Sequence, residues 1–288
     1  MGSEGKANCI RKERAKMNDA RIRMQIKTRI WIFVVGVLIC GWFGRLVNAV
    51  LPEQQGEKSC GSLIWLVTPF ILSVILALAN KSSYKRLAWD VNFKGNGAWY
   101  LVSIFFFPVC TLIPLAIGIS AGVIDTTNFE MKDVAVTFGI WFLYNFFRNI
   151  LEETAWRGFL TERLLALGLS DLKIYVITAL VWSTWHIPYY LYFYGEGDAI
   201  TLILSNYIVL LCWTPLFTEI YRITKSIWPC IILHAMANAV QYTMLEDHFM
   251  INSMDEFIFS PANGCIACVL AILGGVIIKR IRENVLES

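Results

Sequence analysis

Residues 134–160 read VAVTFGIWFLYNFFRNILEETAWRGFL, and the fold turns on how this stretch is understood. At about 1.5 Å per residue it is long enough to cross roughly 30 Å of hydrocarbon as a helix. Yet it carries Asn145, Arg148, Asn149, Glu152, Glu153 and Arg157. An ionisable side chain at bilayer depth costs a few kcal/mol, so its default reading is a functional site with partners. Asn145, Arg148, Asn149 and Glu152 are spaced i, i+3, i+4, i+7, which puts them on one helical face. That face must look inward, and an apolar remainder is left for lipid.

The rest of the chain agrees. Of 288 residues, 57% are hydrophobic, 14% aromatic and 16% charged, against about 25% charged in a soluble domain. Eight segments are long enough to span a bilayer, near 30 to 51, 62 to 80, 98 to 124, 134 to 160, 175 to 194, 200 to 221, 228 to 245 and 262 to 280. We therefore expect an all-α polytopic membrane protein. Its parts are a basic segment, 1–29, and one helical transmembrane domain, 30–288, with no linker or internal repeat. Glu219 and Arg222 blur the end of the sixth span.

Orientation follows from lysine and arginine, which short cytoplasmic loops retain. Nine fall in 1–29, four in 81–97, two in 161–174, two in 222–227 and three in 279–288, whereas the alternate loops hold only Lys58 and Lys132. Both termini are therefore expected inside, and the last outer loop is acidic, with Glu246, Asp247, Asp255 and Glu256. Topology explains the net charge of +3 without nucleic acid. Ile22, Met24 and Ile26 among the N-terminal cations also suit contact with anionic lipid headgroups. A 29-residue charged lead and Arg45 argue against a cleaved signal peptide. Eight scattered cysteines, mostly in apolar spans, act as small hydrophobes rather than as a disulfide framework. Cys265 and Cys268 form a single C-x-x-C with no second pair.

His186 lies in the fifth span, two residues before Pro188, which cannot donate to the Thr184 carbonyl and should loosen the helix. His234 and Asn238 share a side of the seventh span at i, i+4. Glu153 and Arg157, also i, i+4 with the acid first, read as a structural clamp. Counted at about 1.5 Å per residue from the basic ends of their spans, Glu152 lies about 12 Å deep, His186 about 17 Å, His234 about 9 Å and Asn238 about 15 Å. The costly groups of three helices thus share one layer, nearer the cytoplasmic face.

The motifs then become specific. Glu152-Glu153-Thr154-Ala155-Trp156-Arg157 matches EExxxR, Trp182-Ser183-Thr184-Trp185-His186 resembles FxxxH, and His234-Ala235-Met236-Ala237-Asn238 matches HxxxN. In this order, across about 134–245, the chain resembles the CAAX-protease and bacteriocin-processing (Abi) family of intramembrane endopeptidases, which includes type II CAAX prenyl endopeptidases. The resemblance implies that Glu152 and His186 bind and activate a water, with Glu152 as general base, while His234 and Asn238 stabilise the oxyanion. Glu153 and Arg157, with Arg148, would support the site. Trp182 stands where the family pattern has Phe, a change expected to alter pocket shape more than chemistry.

No cofactor is favoured. Glu152, His186 and His234 could form a zinc set, but the spacing is not H-E-x-x-H and Asn238 suits an oxyanion hole better. The implied partner is a peptide or lipidated protein substrate. A bacterial cytoplasmic membrane protein acting in peptide or bacteriocin maturation or self-immunity is favoured over a CAAX prenyl-protein endopeptidase. A non-proteolytic membrane scaffold is the alternative of another class, and a proton-coupled transporter lacks the inverted repeat it would need.

Overall fold

A computed structural model describes residues 3–51, 56–79, 87–195, 197–245, 249–251, 257–260 and 263–287. Side chains of residues 3–15 lie outside that description, as do Lys81, Lys85, Arg86 and the acidic residues Glu246, Asp247, Asp255 and Glu256. The chain is helical almost throughout. In order, α1 is Ser3–Val50, α2 Cys60–Leu78, α3 Gly97–Ser120, α4 Met131–Glu153 and α5 Glu162–Ala166. They are followed by α6 Asp171–Tyr192, α7 Ala199–Thr224, α8 Trp228–Leu245 and α9 Cys265–Glu287. Each apolar segment of the sequence coincides with a helix. Among the described residues, five helical stretches are long and apolar enough to cross a membrane: Lys16–Val50, Cys60–Leu78, Gly97–Ser120, Met131–Ala166 and Ala199–Thr224. The protein is an all-α integral membrane protein.

α1 runs unbroken through residue 29, so the basic segment and the first apolar segment are one helix. α7 continues to Thr224, past the blurred end of its apolar run, and stops where Lys225 adopts φ +52°. One local departure from helix is a two-residue antiparallel pairing, Ile124 with Ile251 and Asp125 with Met250. It ties the loop after α3 to the loop after α8.

Packing places α1 against α2 and α6, α4 against α8, and α7 between α6 and α9. Aromatic clasps fix the first group. Trp65 and Trp185 stack at 4.2 Å, and each indole N–H donates to the other's backbone carbonyl, at 2.8 and 3.2 Å. α1 and α2 approach so closely that a Cβ on Gly44 would lie 2.3 Å from the Gly61 carbonyl oxygen. Small residues allow this contact between helices in lipid, where dispersion replaces the hydrophobic effect as the driving force.

α4 is inverted relative to a soluble helix. Its buried residues are Asn145, Asn149, Glu152 and Glu153, while Val136, Ile140, Leu143 and Phe147 are exposed. A helix solvated by lipid directs its apolar side outward and pays no hydrophobic penalty for doing so. The polar stripe therefore faces the bundle, as the spacing of its residues requires.

Candidate functional site

Beyond Glu153 the α4 helix does not continue regularly. Thr154–Thr161 forms a π-helical segment, with every residue buried, before α5 resumes the α geometry. Widened turns of this kind occur mostly at functional sites. Gly158 shows why one residue type is needed here: a Cβ would sit 2.6 Å from the Leu87 carbonyl oxygen, so the segment lies directly on the chain entering α3. Thr154 is held by Trp89, whose indole N–H donates to Oγ1 at 3.1 Å.

The two glutamates diverge. Glu153 and Arg157 are fully buried and joined at 2.8 Å, which is the clamp expected from their spacing. Glu153 Oε1 also faces His234 Nδ1 at 2.9 Å, so the clamp extends to α8 and fixes the orientation of that imidazole. The Arg157 guanidinium lies between aromatic faces, 4.4 Å from the Trp182 ring centre and 4.5 Å from that of Phe217. Cation–π contacts of desolvated groups are worth about 2 kcal/mol, and they offset part of the cost of burying this charge.

Glu152 turns the other way, towards a cavity. Arg148 Nε lies 3.6 Å from Oε1, and Trp182 Nε1–H donates to Oε2 at 3.1 Å. The residue at the aromatic position of FxxxH is thus more than a wall of the pocket. It is a hydrogen-bond donor to the carboxylate, which phenylalanine cannot be. His186 directs Nδ1 to the Trp182 carbonyl at 2.9 Å. A carbonyl only accepts, so Nδ1 carries the proton and Nε2 of the neutral ring is left as an acceptor. Asn238 donates to Asn145 Oδ1 at 3.1 Å, which orients its amide and leaves one N–H available.

Glu152, His186, His234 and Asn238 all line one cavity of about 110 Å³, together with Arg148 and Trp182. Residues from three helices are thereby brought together as the depth count anticipated. Three contributions go beyond what the motifs imply. Asn145 positions Asn238, Trp182 holds Glu152, and α7 supplies Asn206 and Trp213 to the wall. Asn206 was visible as an isolated amide in an apolar span; nothing in the sequence distinguished Trp213.

Among the described residues, no three His, Cys, Asp or Glu side chains converge closely enough to hold a metal ion. Glu152, His186 and His234 share a cavity wall without forming a ligand set in this arrangement.

The fold and this polar interior define an integral membrane protein with a buried polar cavity. The family model described as type II CAAX prenyl endopeptidase Rce1-like matches residues 134–240, the stretch that contains all four cavity residues. Over that stretch, a little over a third of the chain, the sequence is similar to this family of proteases. A comparison with curated proteins gives no match.

Proposed function

We propose that the chain is an eight-span, glutamate-dependent intramembrane endopeptidase of the bacterial cytoplasmic membrane, with both termini inside. A water held between Glu152 and His186 attacks the scissile carbonyl. Glu152 takes its proton as general base and returns it to the leaving amine, a proton-transfer role worth about 10²–10⁴-fold in rate. His234 Nε2 and the free Asn238 N–H receive the oxyanion. For His234 to donate there while Nδ1–H is engaged by Glu153, the ring must carry both protons, and the Glu153 carboxylate is its counter-ion. The observation that supports this reading best is the meeting of Glu152, His186, His234 and Asn238 in one cavity.

The favoured substrates are peptide precursors, processed for maturation or self-immunity as in bacteriocin systems. The match to a CAAX prenyl endopeptidase family favours prenylated protein C-termini as the second reading. The purified chain, reconstituted in lipid, is to be offered a peptide library alongside prenylated and unprenylated CAAX peptides. Cleavage abolished in Glu152→Ala with folding intact is the expected result. Absence of cleavage across all substrates would leave a scaffold role instead. Stoichiometric zinc in the purified protein, with reversible loss of activity to chelators, would overturn the metal-independent mechanism.

A further inference from the structure

We infer that substrate reaches this site from the face opposite the basic chain ends, so that the hydrolysed bond belongs to a polar peptide segment on the extracytoplasmic side. The inference rests on the proteolytic reading above and concerns where its substrate is.

The cavity has a direction. On α6 its lining runs from Trp182 through His186 to Tyr190, towards the C-terminal end of that helix. On α8 it runs from His234 through Asn238 to Gln241, again towards the C-terminal end. On α7 it runs back from Trp213 to Leu202, near the N-terminus, and Asn263 contributes from just before α9. All three progressions, and Asn263, point to one face. Among the described residues, none on the other side of Glu152 and His234 lines the cavity.

That other side is closed. Ala155, Trp156, Phe159 and Leu160 have no exposed surface, nor do Ile220 and Ile231. Below them, charges lock the helix ends together. Arg222 bridges Asp171 at 2.6 Å and Glu219 at 3.1 Å. From α9, Lys279 reaches Asp171 at 2.9 Å and Arg282 pairs with both Asp171 and Glu219. This is the end of the bundle that carries the basic loops, which the distribution of lysine and arginine assigns to the cytoplasm.

A second cavity, of about 350 Å³, adjoins the first and shares Arg148 and Tyr189 with it. It is lined by Glu57, Lys58 and Ser59 between α1 and α2, so it lies on the same non-basic side. Tyr189 donates to Glu57 across its margin. The chemistry of the first cavity matches a hydrated chain. Beside Leu202, Val209 and Leu210, the residues Tyr190, Asn206, Gln241, Tyr242 and Asn263 present hydroxyl and amide groups that can satisfy an extended peptide backbone. An exported precursor, or an external loop of a membrane protein, meets both requirements.

Cysteine accessibility in intact cells tests the direction without requiring cleavage. Gln241→Cys and Asn206→Cys, inside the cavity, are treated with a membrane-impermeant anionic thiosulfonate. Ala166→Cys, exposed on the basic side, serves as reference. Modified positions are identified by peptide mass spectrometry against the native cysteines. We expect the cavity cysteines to react in intact cells and Ala166→Cys only after permeabilisation. Two positions guard against one variant misfolding, which the unfolding midpoint reports. Cavity cysteines that react only after permeabilisation, or in neither condition, overturn the inference. A pair of reporters with the same peptide either exported or kept cytoplasmic completes the test. Cleavage of the cytoplasmic reporter by the wild type but not by Glu152→Ala would also overturn it. External labelling with neither reporter cut would count against the protease reading and leave the access route standing.

Discussion

The Glu153–Arg157 pair allows structure and chemistry to be separated. Both side chains are fully buried, and removing one partner of a buried ion pair costs about 3–5 kcal/mol because the other charge is left uncompensated. Here Glu153→Gln keeps an amide oxygen that can still accept, and Arg157 retains its contacts with Trp182 and Phe217. Against this, among the described residues Arg157 Nε and Nη2 have no hydrogen-bond partner to take over. We therefore expect a loss near the low end, about 3 kcal/mol. Arg157→Met should cost a similar amount by leaving Glu153 with only His234. The double variant removes both charges, so its loss should fall short of the sum by about 2 kcal/mol, within the range for residues in one network. Equilibrium unfolding in mixed micelles, followed by tryptophan fluorescence, gives the three values. Coupling below roughly 0.5 kcal/mol, the usual limit of additivity, would refute the clamp. Glu152→Gln in the same assay should change stability much less while abolishing cleavage.

Trp182→Phe removes the indole donor from Glu152 and keeps the ring. A hydrogen bond to a charged group is worth about 1.5–3 kcal/mol, so kcat/KM should fall roughly 10- to 100-fold if the bond is retained through the transition state. An unchanged kcat/KM would show that the indole only fills space. Asn238→Ala should reduce kcat by about 10²–10³-fold, the loss seen for one oxyanion donor, with little effect on KM in steady-state kinetics. Gly158→Ala forces a methyl against the Leu87 carbonyl and should destabilise by about 1–3 kcal/mol, measurable as a lowered unfolding midpoint with the cavity residues untouched.

The helices were legible because lipid imposes an obligation on sequence: every spanning segment must be long and apolar, and each polar exception must find company. The stripe Asn145, Arg148, Asn149, Glu152 declared an inward face by spacing alone, and loop charge supplied the common reference from which depths could be compared. What stayed hidden has equally physical reasons. The π-helical segment at Thr154–Thr161 depends on where Gly158 meets the chain at Leu87, a contact distant in sequence. Trp182 reads as bulk until its N–H is seen to have a target. Asn145 looked like another polar group on the stripe, and only the approach of α8 made it a support for Asn238. The direction of the cavity was invisible because depth along a helix says how far a group lies from each end, not from which end water arrives.

The inverted face of α4 has a consequence for how the protein is made. Released alone into the bilayer, this helix would show Asn145, Arg148, Asn149, Glu152 and Glu153 to hydrocarbon, with only the i,i+4 pairs Arg148–Glu152 and Glu153–Arg157 to shelter them. Relief comes from α8, through His234 on Glu153 and Asn238 on Asn145, and α8 emerges from the ribosome some 75 residues after α4 has ended. Between those moments α4 must wait beside the insertion machinery, tilt its polar side to an interface, or lean on a chaperone. The groups that form the cavity thus also set the order of assembly, and a chain that stops before α8 would be recognised by quality control as a helix with its interior exposed.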